Sequence, residues 1–185
     1  EFTNLLLKNF TIDNIQIFEP IKKKINLLKK KFNIQKIVLN DFALGEIEEE
    51  KVFKIMKETS SSTFNKINKN SKYFRRKNLI LNLGFNLKLF EEISIKIQTG
   101  LKIIKSKKIE FIDLLKIDTE GFEYYVVKGF SDEISKIKVI FFEHHYDQMI
   151  IKNYTFSDIH RYLLMKKFKM KHKFKMPFRK SFEYI

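Results

Sequence analysis

Apolar residues recur along this chain in two rhythms. Four short runs are nearly continuous: residues 15–18 (Ile-Gln-Ile-Phe), 36–39 (Lys-Ile-Val-Leu), 111–117 (Phe-Ile-Asp-Leu-Leu-Lys-Ile) and 137–142 (Ile-Lys-Val-Ile-Phe-Phe). Their length and their aliphatic and aromatic content predict strands buried in a parallel sheet. Between them the apolar positions take helical spacing. Ile21, Ile25, Leu28 and Phe32 follow Pro20, which suits the first turn of a helix because its missing N–H costs nothing there. Ile159, Tyr162, Leu163 and Phe168 follow Thr155, the predicted N-cap, with Asp158 in the first turn. Residues 2–9 read as the tail of a helix. Residues 122–129 read as a short helix that Gly129 caps in the usual manner of glycine.

Residues 46–110 break this rhythm. Residues 52–56 predict a strand, and residues 93–98 (Ile-Ser-Ile-Lys-Ile-Gln) alternate strictly, as a half-buried strand does. Ser60-Ser61-Ser62 and residues 65–72 read as polar loop, and the apolar stretch 79–90 holds Gly84 as a bulge or turn. The expected organisation is one domain over residues 1–185, with an inserted hairpin and loop region at about 46–110. After the last helix, residues 169–176 alternate lysine with Met170, His172, Phe174 and Met176, which predicts a strand with one basic face and one face on the core. Residues 181–185 run to the end without a cap, and no internal repeat is present.

Composition narrows the class. Hydrophobic residues make up 44% of the 185, enough for a real core and too much for wholesale disorder. No segment has the apolar length needed to span a bilayer, and the N-terminus lacks a basic-then-apolar leader pattern. Cysteine is absent, so disulfides and thiolate metal sites are excluded, and a soluble cytoplasmic protein is the expectation. The net charge of +15 invites a nucleic-acid partner. Against it, arginine, the residue suited to bidentate phosphate recognition, occurs only at 75, 76, 161 and 179. Dispersed lysine, with heavy use of Ile, Asn and Phe, also fits a genome rich in A and T.

The candidate chemistry lies where predicted strands end in acids. Lys116-Ile117-Asp118-Thr119-Glu120-Gly121-Phe122-Glu123 closes one run, Glu19-Pro20 another, and Glu143-His144-His145 a third. In open α/β sheets, ligands bind just beyond the carboxyl ends of the strands. Asp118 is the first candidate for a general base, Glu120 the second and His144 a competitor. Two close carboxylates raise the pKa of one of them, which suits that role. The same acids would also favour the N-terminus of the next helix. Glu123 is expected on the helix surface. Asp118 with Glu143, His144 and His145 offers an oxygen and nitrogen set for a divalent metal, but strand-end histidines more often serve as hydrogen-bonded walls, and no metal is assigned.

Phe-Glu-Pro after one strand, paired with Asp-Leu-Leu-Lys-Ile-Asp-Thr-Glu-Gly-Phe-Glu after another, resembles the FkbM-type methyltransferases over roughly residues 5–165. The resemblance implies a Rossmann-like class I fold, a three-layer α/β sandwich, with S-adenosylmethionine as cofactor. It implies that Glu19 accepts hydrogen bonds from the ribose hydroxyls. It places Asp41, Phe42 and Ala43 at the adenine, and Asp118 and Glu120 where the methyl group meets its acceptor. The implied acceptor is a hydroxyl of a sugar or another small metabolite.

The chain departs from that pattern in one large respect. Class I enzymes open with a strand and a glycine-rich loop, whereas this chain has five glycines and none before Gly45. The expectation is therefore an N-terminally truncated domain lacking the first strand and loop. Thr99-Gly100-Leu101 also stands where the family shows Thr-Leu-Asp. Two alternatives remain: a basic protein that binds or methylates nucleic acid, and a non-catalytic fragment. The oligomeric state has no signature in the sequence.

Overall fold

A computed structural model of the chain describes residues 2–32, 34–56, 62–72, 74–76, 90–146, 148–176 and 180–185. The expectations for Ser60, Ser61, Gly84 and most of the stretch 79–90 lie outside these residues. The chain divides into two compact units, Glu1–Ala43 and Leu44–Ile185. Among the described residues no helix is long and apolar enough to cross a membrane.

The first unit holds helix α1 (Phe2–Asn9), strand β1 (Ile15–Phe18), helix α2 (Lys22–Lys31) and strand β2 (Ile37–Asn40). The two strands pair in parallel, from Ile15 opposite Ile37 to Phe18 opposite Asn40. Ile21, Ile25, Phe32 and Ile37 are buried, so the predicted apolar stripe of α2 does face inward. Lys29, Lys30 and Lys31 crowd its last turn, where the helix dipole favours cations. The helix does not begin at Pro20 as predicted. It begins at Lys22, because Glu19 turns its Oε1 back to accept the Ile21 N–H at 2.9 Å and closes a local turn first.

Among the described residues three further sheets follow, beginning at Ala43. Strands β3 (Ala43–Gly45), β4 (Glu49–Met56) and β6 (Phe90–Thr99) form one, in the order β3-β6-β4, with β4 and β6 antiparallel. Ile93 to Ile97 alternate in burial as the sequence predicts, with Ile95 and Ile97 fully inside. Short β5 (Lys66–Ile67), within the predicted polar loop, pairs with β9 (Ile150–Ile151). The central sheet has the order β10-β11-β8-β7, from β7 (Ile112–Ile117), β8 (Ile137–His145), β10 (Lys173–Lys175) and β11 (Ser181–Tyr184). β7 and β8 are parallel, Ile112 opposite Ile137 and Ile117 opposite Phe142. β11 runs antiparallel between β8 and β10. The last four residues of β8, from Phe142, are buried, as expected of a strand covered on both faces.

Helix α3 (Gly100–Ser106) is capped by Thr99, whose Oγ1 accepts the Lys102 N–H at 3.2 Å. Helix α4 (Glu123–Lys128) and a 3-10 turn (Ser131–Lys136) link β7 to β8. Helix α5 (Phe156–Met165) opens with the predicted Thr155 cap, and Asp158 returns a bond to the Thr155 N–H. The segment 46–110 contributes to the core. Phe53 and Phe64 stack towards Phe122 and Tyr125, with successive ring centroids 4.6, 4.7 and 4.8 Å apart.

Two expectations are corrected here. Gly129 does follow α4, but its φ is −64°, not left-handed. Its lack of a side chain serves close approach instead, since a Cβ there would lie 1.9 Å from the Gly45 carbonyl oxygen. The segment 169–176 is a strand only at Lys173–Lys175, and Phe174 is 49% exposed. Among the described residues β10 pairs with β11 alone, which makes it an edge strand, and all three of its residues are exposed.

Gly129→Ala should therefore lower the stability of the second unit by about 3 kcal/mol, because a backbone atom must yield. Gly100→Ala, whose new methyl would meet the movable ring of Phe130 at 2.5 Å, should cost less. Urea unfolding of the two variants measures both values, and equal costs would contradict the reason given.

Candidate active site

Parallel β7 and β8 end side by side, and the chemistry-bearing side chains of the second unit gather beyond their carboxyl ends. After Ile117 the chain turns sharply, with Glu120 at φ 50° and Gly121 at φ 95°. A left-handed conformation at a residue with a Cβ costs about 1–2 kcal/mol, so the turn requires compensating bonds. Glu123 supplies two of them. Its Oε1 accepts the Gly121 N–H at 2.7 Å and the Thr119 hydroxyl at 3.0 Å. Its Oε2 accepts the Tyr154 hydroxyl at 2.7 Å.

Glu123 is thus 1% exposed, against the expectation that it faces outward. Lying in the first turn of a helix of only six residues, it reaches back over the turn instead of out to water. Burial and the neighbouring Glu123 carboxylate hold the Tyr154 phenol far above its usual pKa, so it stays a donor.

Glu120 is the acid that this turn presents to the strand ends. Its Oε2 lies 3.2 Å from His145 Nε2, and Glu143 Oε1 lies 3.5 Å from the same nitrogen. Burial raises the Glu120 pKa above the usual carboxylate value. His145 offsets part of the rise, while Asp118, Glu143 and Glu123 add to it. Asp118, the first-ranked candidate in the sequence, is exposed.

Glu143, His144 and His145 are all buried. His144 Nε2 is 3.3 Å from Lys152 Nζ, and the same ammonium bonds the His145 carbonyl. Because a lysine can only donate, Nε2 accepts and the ring hydrogen sits on Nδ1, an atom with no partner among the described residues. Burial first, then the Lys152 and His145 charges, push the His144 pKa down to about 3. It is a neutral imidazole and a weak base. Among the described residues no three His, Asp or Glu side chains are arranged to hold a metal ion.

The cofactor candidates of the first unit gather at the corresponding ends of β1 and β2. Glu19 follows β1, and its N–H bonds the carbonyl of Asn40 at 3.0 Å. Burial raises its pKa, which the Ile21 N–H and the more distant Lys24 partly offset. Its Oε2 is 3.9 Å from Lys24 Nζ, too long for a hydrogen bond, so this oxygen retains acceptor capacity. Phe42 packs on Phe18 with ring centroids 5.6 Å apart, Asp41 is exposed and Ala43 is buried.

A cleft of about 570 Å³ lies elsewhere in the second unit, under α5 and against the first half of β8. Its lining is mostly apolar residues and lysines, with Ser135, His160 and Tyr184, and among the described residues it includes none of the strand-end carboxylates.

Sequence reasoning missed Thr63, Asn65, Lys152 and Tyr154. They lie far from the motif in the chain, on segments whose local pattern carries no sign of the contact. Only Gly121 hinted at partners, since a glycine after an acid announces a tight turn.

The family model for the methyltransferase FkbM domain matches residues 9–173, and the chain belongs to that family. It is a methyltransferase. No curated protein and no solved structure matches the chain.

The depressed His144 pKa has a definite sign. An imidazole that is neutral in the fold but charges freely when unfolded adds stability above pH 6.5, and that stability is lost as pH falls towards about 3. Across that window the slope for one proton reaches about 1.4 kcal/mol per pH unit. His144→Gln should flatten the slope of unfolding free energy against pH by up to that amount. Equal slopes for variant and parent, in urea melts at stepped pH, would refute a neutral buried His144.

Proposed function

We propose that this methyltransferase transfers the methyl group of S-adenosylmethionine to a hydroxyl of a sugar or another small metabolite. The observation that carries the proposal is the part-buried Glu120 carboxylate, set beside His145 and Glu143 at the ends of two parallel strands. A hydroxyl becomes a competent nucleophile when its proton is removed in the transition state. A carboxylate whose pKa is raised towards working pH does this better than an exposed one. Glu120 is therefore the preferred proton acceptor, with Asp118 at the mouth. His144, as a neutral ring with its hydrogen on Nδ1, is better suited to donate a hydrogen bond to the acceptor than to take a proton.

The residues at the ends of β1 and β2 fit the adenosine half of the cofactor. Glu19 keeps one carboxylate oxygen for ribose hydroxyls, Phe42 offers a half-buried ring for adenine, and Asp41 offers an acceptor for its amino group. Bound there, S-adenosylmethionine would supply the activated methyl on its sulfonium. We also read the fold as the Rossmann-like class I sandwich, supported by parallel pairs β1–β2 and β7–β8 and by antiparallel β11 next to β8. A cytoplasmic location rests on the cysteine-free composition.

Calorimetric titration of the protein with S-adenosylhomocysteine should show saturable heat. Glu19→Ala should weaken binding by about 1–3 kcal/mol through the lost charge-assisted bonds. No saturable heat would end the cofactor assignment, and an unchanged affinity would end the role of Glu19.

One observation favours a second reading. Phe174 on the edge strand is half-exposed between Lys173 and Lys175, and its ring stacks on His172 with centroids 5.7 Å apart. Exposed rings among lysines are what single-strand binders use. If they bind here, a short single strand should show a salt-dependent mobility shift that Phe174→Ala weakens by about 1–3 kcal/mol. No shift at low salt removes this reading.

A further inference from the structure

The turn that carries Glu120 is held from two sides, and only one side belongs to its own motif. Glu123 takes the inner face, through the Gly121 N–H and the Thr119 hydroxyl. The outer face belongs to residues remote in sequence. The Thr63 hydroxyl donates to the Glu120 carbonyl at 2.8 Å, and the Asn65 amide donates to the Gly121 carbonyl at 2.5 Å. These are the carbonyls of the two residues in left-handed conformation.

Thr63 is 1% exposed and is itself fixed in place. Its backbone exchanges a pair of hydrogen bonds with Lys54 on β4, each 3.0 Å, and its Oγ1 accepts the Asn65 N–H at 3.1 Å. β5 then pairs with β9, and the Asn68 N–H bonds the Met149 carbonyl at 2.7 Å. One short segment therefore bonds β4, the turn after β7, and the strand that leads to Lys152.

We propose that Thr63 and Asn65 are positioning residues that lock the Glu120–Gly121 turn and aim the Glu120 carboxylate at His145. Segment 62–67 is then a wall of the acceptor site, not a peripheral insertion. The inference rests on the reading of Glu120 as the proton acceptor. Two donors on successive carbonyls restrict rotation of the peptide planes. The Glu120 side chain then leaves the turn in one direction, and His145 meets it there. Without the two donors the strained turn can relax towards ordinary φ, which swings the carboxylate to water. Asn65 also closes the space over Gly121, since a Cβ there would meet its amide nitrogen at 2.8 Å.

The test reads the Glu120 carboxyl directly. Carbon-13 NMR of glutamate-labelled protein, with Glu120→Gln to assign the signal, gives its titration midpoint. The parent should titrate above 4.5, the ordinary value, because burial raises it. The double variant Thr63→Val with Asn65→Ala changes no charge. It should bring the midpoint back towards 4.5 while the amide spectrum stays folded. Thr63→Ser keeps the hydroxyl and should titrate like the parent, as should Lys66→Ala, an exposed neighbour in the same segment. If the double variant does not fold, Asn65→Ala alone should show the same direction of shift. A midpoint unchanged in a folded variant lacking these donors overturns the proposal, and so does a Thr63→Ser midpoint that moves with the double variant. Titration of the same samples with S-adenosylhomocysteine separates the two ideas, since lost cofactor binding in the parent would leave the NMR result readable.

Discussion

A carboxylate taken out of water holds the turn after β7 together. Leaving a carboxylate in an apolar interior without partners costs far more than the fold of a small unit can bear. Glu123 survives there because its two oxygens accept from Thr119, Gly121 and Tyr154. Hydrogen bonds to a charged group contribute about 1.5–3 kcal/mol each, enough to offset both desolvation and a strained backbone. Two of the donors lie within the motif and the third lies at the approach to α5. The turn, helix α4 and that approach are consequently one bonded assembly, and each donor lost weakens the hold on the buried carboxylate.

The same removal from water sets the protonation states around the turn. Burial disfavours whichever form is charged, so it raises the pKa of Glu120 and lowers that of His144. Lys152 strengthens the second effect by placing an ammonium on the imidazole. An acid drawn towards neutral pH and an imidazole driven away from it give the neighbouring groups different tasks. The two shifts run in opposite directions, so the carboxylate holds its proton more readily than a free one and the imidazole less readily.

Parts of this were legible in the residues. The runs that became β7 and β8 are short and continuously apolar, the pattern of buried strands. Thr155 with Asp158 announces its cap by chemistry alone, and the alternation from Ile93 to Ile97 has a period that only a strand fits. The failures share a cause, in that the deciding contact lay outside the local window. Glu123 sits in a helix too short to show a face, so its direction is set by Tyr154, 31 residues away. Gly129 looked like a left-handed cap, but the constraint is the Gly45 backbone from another strand. Residues 169–176 alternate like a strand with a buried face, yet periodicity cannot reveal that the partner sheet ends there. Thr63 and Asn65 were invisible for the same reason, since a polar loop has no pattern that names the carbonyls it will bind.

Acids recur at strand ends in both units, and the accounting of their oxygens separates structural from available groups. Strand ends run into helix starts, where unpaired N–H groups and the helix dipole favour negative charge, so a carboxylate there has structural work at hand. Glu123 has both oxygens occupied by protein donors, and nothing remains for a ligand. Glu19 spends one oxygen on the Ile21 N–H, which fixes the carboxylate, while the other, among the described residues, meets a lysine at 3.9 Å. Glu120 faces His145 through one oxygen and is anchored through its carbonyl. A carboxylate fixed by one partner but not saturated is preorganised for a second. That property, more than the presence of acids in a motif, distinguishes Glu19 and Glu120 from Glu123, whose oxygens belong to the frame that holds the turn.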